Sequence, residues 1–174
     1  MQTLHGVLPP KCRIMAVVKA NAYGHGDVEV ARHLNKIGIN TFAVATIGEG
    51  IHLREHGVTG EILVLGYTVP QRIPELVHYN LSQTVVGLEH AKQIDDFGTP
   101  ARVHIKVDTG MHRLGESYEH VSGIAQMFEY KNLKIEGIFT HLCVADSLDV
   151  GDVKFTEGQI QSFYQLLVQL RSRH

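Results

Sequence analysis

Lys19 ends the apolar run "RIMAVVKA" (Arg13 to Ala20), and Tyr23, Gly24, His25 and Gly26 follow it at once. An ammonium group at the end of a buried strand is in surroundings that disfavour its charge, and the deprotonated amine is the species that attacks an aldehyde to form a Schiff base. Glycines permit close approach to the backbone, and the Tyr23 phenol can donate to an anion such as a phosphate. The set suits a phosphate-bearing aldehyde. The competing reading is a lysine that buries its stem and snorkels its ammonium to the rim.

Two other groupings could do chemistry. Lys106 and Asp108 alternate along a β-branched run and so project to one face, where they could form a salt-bridge network with Arg113. "HLREH", His52 to His56, matches the H-x-x-E-H zinc-peptidase spacing, but a zinc site needs a third protein ligand and no later segment offers an obvious one. The match reads as a solvated helix face. His25 reads as a structural turn residue, and the other histidines share no spacing.

The elements that must position these groups are short and regular. Six apolar, β-branched runs are expected as strands: Arg13 to Ala20, Thr41 to Thr46, Glu61 to Gly66, Gln83 to Gly87, Arg102 to Asp108 and Ile135 to Leu142. Most are continuously apolar, as strands covered on both faces of a parallel sheet are. Helices are expected from Asp27, as cap, to Gly38, and over Gly48 to His56, Leu88 to Phe97, Ser117 to Phe128 and Gly158 to Arg171, with a short one over Arg72 to His78 limited by Pro74. Strict alternation of strand and helix gives an α/β fold, either an open doubly wound sheet or a (β/α)8 TIM-type barrel. A complete barrel takes about 250 residues, so 174 residues hold about six of its eight βα units. Ligands bind at the carboxyl ends of such strands, where Lys19 stands.

Composition narrows the classes further. A formal charge of −2 without massed lysine or arginine gives no footprint for nucleic acid, and no apolar run approaches the roughly 18 residues of a membrane span. The first ten residues lack the blocks of a signal peptide. Cys12 and Cys143 stand far apart, so a reduced, cytoplasmic setting is expected.

Three motifs, "AVVKANAYGHG", "KVDTGMHRLG" (Lys106 to Gly115) and "IFTHLCVAD" (Ile138 to Asp146), strongly resemble those of the alanine racemases, in the same order. That resemblance implies a pyridoxal 5'-phosphate enzyme in which residues 1–174 are part of the cofactor-binding barrel, the carboxy-terminal β domain lying outside them. It implies Lys19 as the Schiff-base lysine and catalytic group, Tyr23 on the cofactor phosphate, His141 against the pyridine ring and Leu65 lining the pocket. It gives Arg113 the cofactor's phenolic oxygen and the substrate carboxylate, and matches Lys106 to a lysine that some members carry as a carbamate. His112 departs from the family, standing where glycine is common, and Cys143 occupies a variable position.

The implied activity is two-base interconversion of L- and D-alanine, or L- and D-serine, which supplies D-amino acid for peptidoglycan. The motifs are also similar to those of the membrane-anchored serine/alanine racemases of vancomycin-resistant bacteria. The resemblance further implies a homodimer in which each subunit's β domain lends a tyrosine to its partner's site, so residues 1–174 alone are expected to be inactive. Related barrels that carry the cofactor without catalysis, and the zinc reading of "HLREH", are the alternatives.

Overall fold

A computed structural model describes residues 6–173. Its strands all pair in parallel, in the order β1 (Ala16–Val17), β2 (Thr41–Val44), β3 (Glu61–Val64), β4 (Ser82–Val85) and β5 (Ala101–Asp108). A two-residue strand β6 (Glu116–Ser117) pairs with the end of β5, and β7 (Leu133–Phe139) lies along β5's length. The helices are α1 (Asp27–Lys36), α2 (Ile47–Glu55), α3 (Ile73–His78), α4 (Leu88–Phe97), α5 (Val121–Met127) and α6 (Val150–Arg171).

Side chains on these strands divide between two buried faces. Phe42, Val44, Ile62, Val64, Val103 and Ile105 are fully buried in the hydrophobic core, each stabilising the fold by roughly 1.5–3 kcal/mol. Their neighbours Ala43, Leu63, His104 and Lys106 face a cavity instead. The continuous apolar runs of β2 and β3 arise because those strands are covered on both sides, as β4 is, whereas β1, which leads to Lys19, is not buried as expected, its Val17 being 43% exposed.

The sheet is rolled. His104 Nε2 on β5 lies 3.1 Å from Glu61 Oε1 on β3, across the intervening β4, and Ser82 on β4 reaches Glu136 on β7 at 3.4 Å. Such contacts between non-adjacent strands require a curved interior, and the fold is a partial TIM-type barrel of the α/β class. A bulge in β7 shapes that interior: the ladder pairs Val103 with Ile135 but His104 with Gly137, leaving Glu136 as the extra residue. Gly137 is needed there, because a Cβ would strike the His104 ring.

Several element ends differ from expectation. Strand β1 stops at Val17, because the backbone turns left-handed after Lys19. The Asp27 side chain does not cap α1; Gly26 occupies the cap position and Asp27 is the first helical residue. Helix α6 begins eight residues earlier than its apolar stripe, at Val150, because Asp149 caps it by accepting the Gly151 N–H at 2.8 Å. Helix α5 is shorter than Ser117 to Phe128, its first four positions being taken by β6 and a turn. Pro74 sits in the first turn of α3, as expected.

One glycine is fixed by two constraints at once. Gly60, leading into β3, has φ of 91°, and an added Cβ would overlap the Asn40 carbonyl. Gly60→Ala is expected to destabilise the protein by about 3 kcal/mol or more, as left-handed strain adds to a clash with rigid backbone. The shift in urea midpoint measures it; a change under about 1 kcal/mol contradicts the account.

Candidate active site

A cavity of about 510 Å³ opens at the carboxyl ends of the strands, and Lys19, Tyr23, Leu65, Lys106, Arg113 and His141 all line it. Residues from four strands, β1, β3, β5 and β7, and their following loops thus converge. Val17, Ala43, Leu63 and Phe139 supply apolar wall, and among the described residues no aspartate or glutamate lines the space. The cavity is cationic, with apolar sides.

Lys19 is set by an unusual backbone. Ala20, Asn21, Ala22 and Tyr23 have φ of 52°, 56°, 49° and 53°, one turn of left-handed helix. Each such L-residue costs roughly 1–2 kcal/mol, so the turn must be held from outside. The Ala22 N–H donates to the Val18 carbonyl at 2.9 Å, Asn21 Oδ1 accepts the Asp27 N–H at 3.0 Å, and the Ala22 side chain is buried. Gly24 and Gly26 then continue at positive φ, so their freedom serves the turn as well as any ligand. Tyr23 is 63% exposed at the mouth of the cavity.

Sequence reasoning missed Glu49. Its Oε1 accepts the Ala20 N–H at 2.8 Å, and its Oε2 accepts the Ala45 and Thr46 N–H groups at 2.6 and 3.2 Å. Thr46 and Glu49 form a capping box for α2, a T-x-x-E signal readable in the sequence. The reach to residue 20 is tertiary and has no local signal.

The expected salt-bridge network of Lys106, Asp108 and Arg113 does not form among the described residues. Asp108 turns to its own loop, accepting the Gly110 N–H at 2.9 Å and the His112 N–H at 3.1 Å, and pairing with His112 Nδ1 at 3.2 Å. Burial raises the Asp108 pKa, but these bonds outweigh it and leave the carboxyl below its usual range. His112 has φ of 55°, which explains why this position suits glycine; the Asp108 contacts hold a histidine there despite the strain. Lys106 is only 6% exposed, and its ammonium lies 5.7 Å from the centre of the Phe139 ring. Burial lowers its pKa, and Arg113 lowers it further against the pull of Asp108.

His141 leaves the end of β7 held through its backbone. Gln159 of α6, 2% exposed, donates to the His141 carbonyl at 3.1 Å and to Thr109 Oγ1 at 3.3 Å, and accepts the Cys143 N–H at 3.3 Å. It joins the loops that carry Arg113 and His141. Burial, then the nearby Lys106, Arg113 and Lys19 cations, push the His141 pKa down, which favours the neutral ring.

The metal signals do not converge here. In "HLREH", Glu55 meets the Tyr79 hydroxyl at 3.3 Å while His56 Nδ1 lies 2.8 Å from the His52 carbonyl, so the three do not face one point. Glu61, His104 and Glu136 do cluster within metal-ligand reach. Their carboxylates already face Arg13 and Arg102 at 3.9 and 3.8 Å, a charge-balanced ion-pair network. Both cysteines are free. Among the described residues, no helix is long and apolar enough to cross a membrane.

Comparison with known proteins agrees with the motifs. Residues 1–174 match the family described as alanine racemase, N-terminal domain. An amino-acid racemase of Enterococcus faecalis is 49% identical over 167 residues, 96% of this chain and 24% of that protein. A serine/alanine racemase of Enterococcus gallinarum is 43% identical over 173 residues, 99% of this chain and 25% of that protein. The solved alanine racemase of Clostridium difficile 630, in complex with cycloserine, superposes with a TM-score of 0.91 at 34% identity, covering 99% of this chain and 48% of that one. The chain therefore spans a quarter to a half of the length of these relatives.

Replacing Lys106 with methionine removes a cation beside His141 and is expected to raise the His141 titration midpoint toward the usual imidazole value, read from ring proton shifts by NMR. Because folding depresses this pKa, the folded state binds fewer protons than the unfolded one below the ordinary value of 6.5. His141 therefore contributes stability above that pH that is lost as pH falls through its folded midpoint. An unmoved midpoint in Lys106→Met would remove the electrostatic coupling.

Proposed function

The chain belongs to the alanine racemase family, matching its N-terminal domain, and on that premise we propose that it is the cofactor-binding barrel of a pyridoxal 5'-phosphate-dependent racemase acting on alanine or serine. The observation that supports this best is the cavity, where Lys19, Lys106 and Arg113 meet with no lining carboxylate beside apolar walls. A phosphate, a flat ring and a substrate carboxylate need that combination of cations and apolar surface. The fit is chemical as well as spatial.

When bound, the cofactor acts as an electron sink that makes the α-proton of an attached amino acid removable. Lys19 would hold the cofactor aldehyde and, freed when the substrate amine takes its place, would move the proton at Cα on one face. Tyr23 would donate a hydrogen bond to the phosphate, and Leu65 and the neutral His141 ring would bound the cofactor ring. Arg113 would offer a guanidinium fork to the phenolic oxygen and the substrate carboxylate, and so orient Cα. Lys106 is buried, and its lowered pKa favours the neutral amine, which could add carbon dioxide with loss of a proton to become a carbamate anion beside Arg113.

Inversion at Cα needs a second base on the opposite face, and in this reading it lies outside residues 1–174, on a carboxy-terminal β domain of the partner subunit in a homodimer. The enterococcal relatives named amino-acid racemase and serine/alanine racemase support serine beside alanine as substrate. The product serves as a D-amino-acid building block for peptidoglycan, made in the cytoplasm.

Borohydride reduction of the full-length protein with pyridoxal phosphate is expected to leave a pyridoxyl label on Lys19, with racemisation of L-alanine, L-serine or both. Lys19→Ala abolishes both label and turnover, and Arg113→Lys lowers kcat/KM by about 10- to 100-fold. Residues 1–174 alone do not turn over. A label on another lysine, or full activity in Lys19→Ala, overturns the assignment.

A further inference from the structure

We propose that Glu49 is a positioning residue for Lys19: its carboxylate holds the first peptide of the left-handed turn and so fixes the direction from which the Lys19 side chain enters the cavity. The inference rests on the reading of Lys19 as the covalent residue. It adds a residue from a different element, α2, to the machinery.

The need for such a clamp follows from β1. This edge strand has two ladder residues, and beyond them the Val18 N–H donates to the Ala43 carbonyl at 2.9 Å. After Lys19 the chain enters four consecutive left-handed residues, none of them glycine. Left alone, the peptide after Lys19 relaxes toward negative φ and swings the lysine away. The Ala20 N–H is the first donor past Lys19, and Glu49 Oε1 takes it at 2.8 Å.

The same carboxylate takes Ala45 and Thr46 on its other oxygen, so it ties the mouth of β1 to the mouth of β2 beyond the point where their ladder ends. Charge-assisted bonds of this kind are shorter and roughly twice as strong as neutral ones. Glu49 also sits in the first turn of α2, where the helix dipole favours a negative charge. A glutamine is the same size but offers one acceptor oxygen and an NH2 group, so it cannot serve donors on both sides. An aspartate is one methylene short.

The discriminating comparison is Glu49→Gln against Thr46→Ala, each in the full-length protein. Both break the α2 capping box, but only the first releases Ala20. In cofactor-free protein, hydrogen exchange of peptides covering residues 19–24 is expected to quicken by about tenfold or more in Glu49→Gln. On titration with pyridoxal phosphate, the half-saturation of borohydride-fixed label on Lys19 is expected to rise by about tenfold. Thr46→Ala stays within about twofold of wild type in both measurements. If Glu49→Gln does not fold, Glu49→Asp carries the same expectation, since it keeps the charge and loses the reach. Equal effects in the two variants, or faster exchange with unchanged labelling, overturn the proposal. Absence of label on wild-type Lys19 instead overturns the functional reading while the exchange result still reports on the clamp.

Discussion

Four L-residues held in the left-handed region after Lys19 are the constraint on which the active-site end of the barrel depends. A strand running on in β conformation would carry residues 20–23 out past the rim. Reversing the hand within one turn instead keeps Lys19 and Tyr23 on the same cavity. The strain is offset by contacts from α2, from Asn21 and from the buried Ala22. Local propensity opposes this conformation at every one of the four positions, so tertiary structure decides it.

The second organising fact is electrostatic. Lys19, Lys106, Arg113 and His141 meet without a carboxylate, and the nearest acid in sequence, Asp108, is committed to its own loop and to His112. Burial first, and then repulsion from the neighbouring cations, depresses the pKa values of Lys106 and His141. An anionic ligand relieves that repulsion, so the site is destabilised in the direction that favours binding.

How much of this was legible in the sequence varied with the range of the interactions. The six strand runs and the helices between them were readable because hydrophobic period and glycine stops are local properties, and Leu88–Phe97 matches residue for residue. Lys19, Arg113 and His141 were findable because each ends a strand or sits in a glycine-bearing motif. Glu49 and Gln159 were not, since each acts across 16 to 50 positions of sequence through a bond that no pattern encodes. The salt bridge expected of Asp108 was misassigned for a related reason: alternation predicts the face of a strand, but the following loop's N–H groups decide where a terminal carboxylate turns. The role of His112 became clear only with its backbone angle.

The bulge at Glu136 and Gly137 acts as a phase shifter. Below it, β7 matches β5 in one phase, and above it in the other, so that Glu136 joins the ion pairs of the barrel floor while Phe139 still lines the cavity above. Were the ladder to run straight on with Glu136 opposite His104, Ile138 would turn inward and Phe139 outward, and the cavity would lose its aromatic wall. The face that Phe139 presents is thus set several residues earlier, by parity rather than by chemistry.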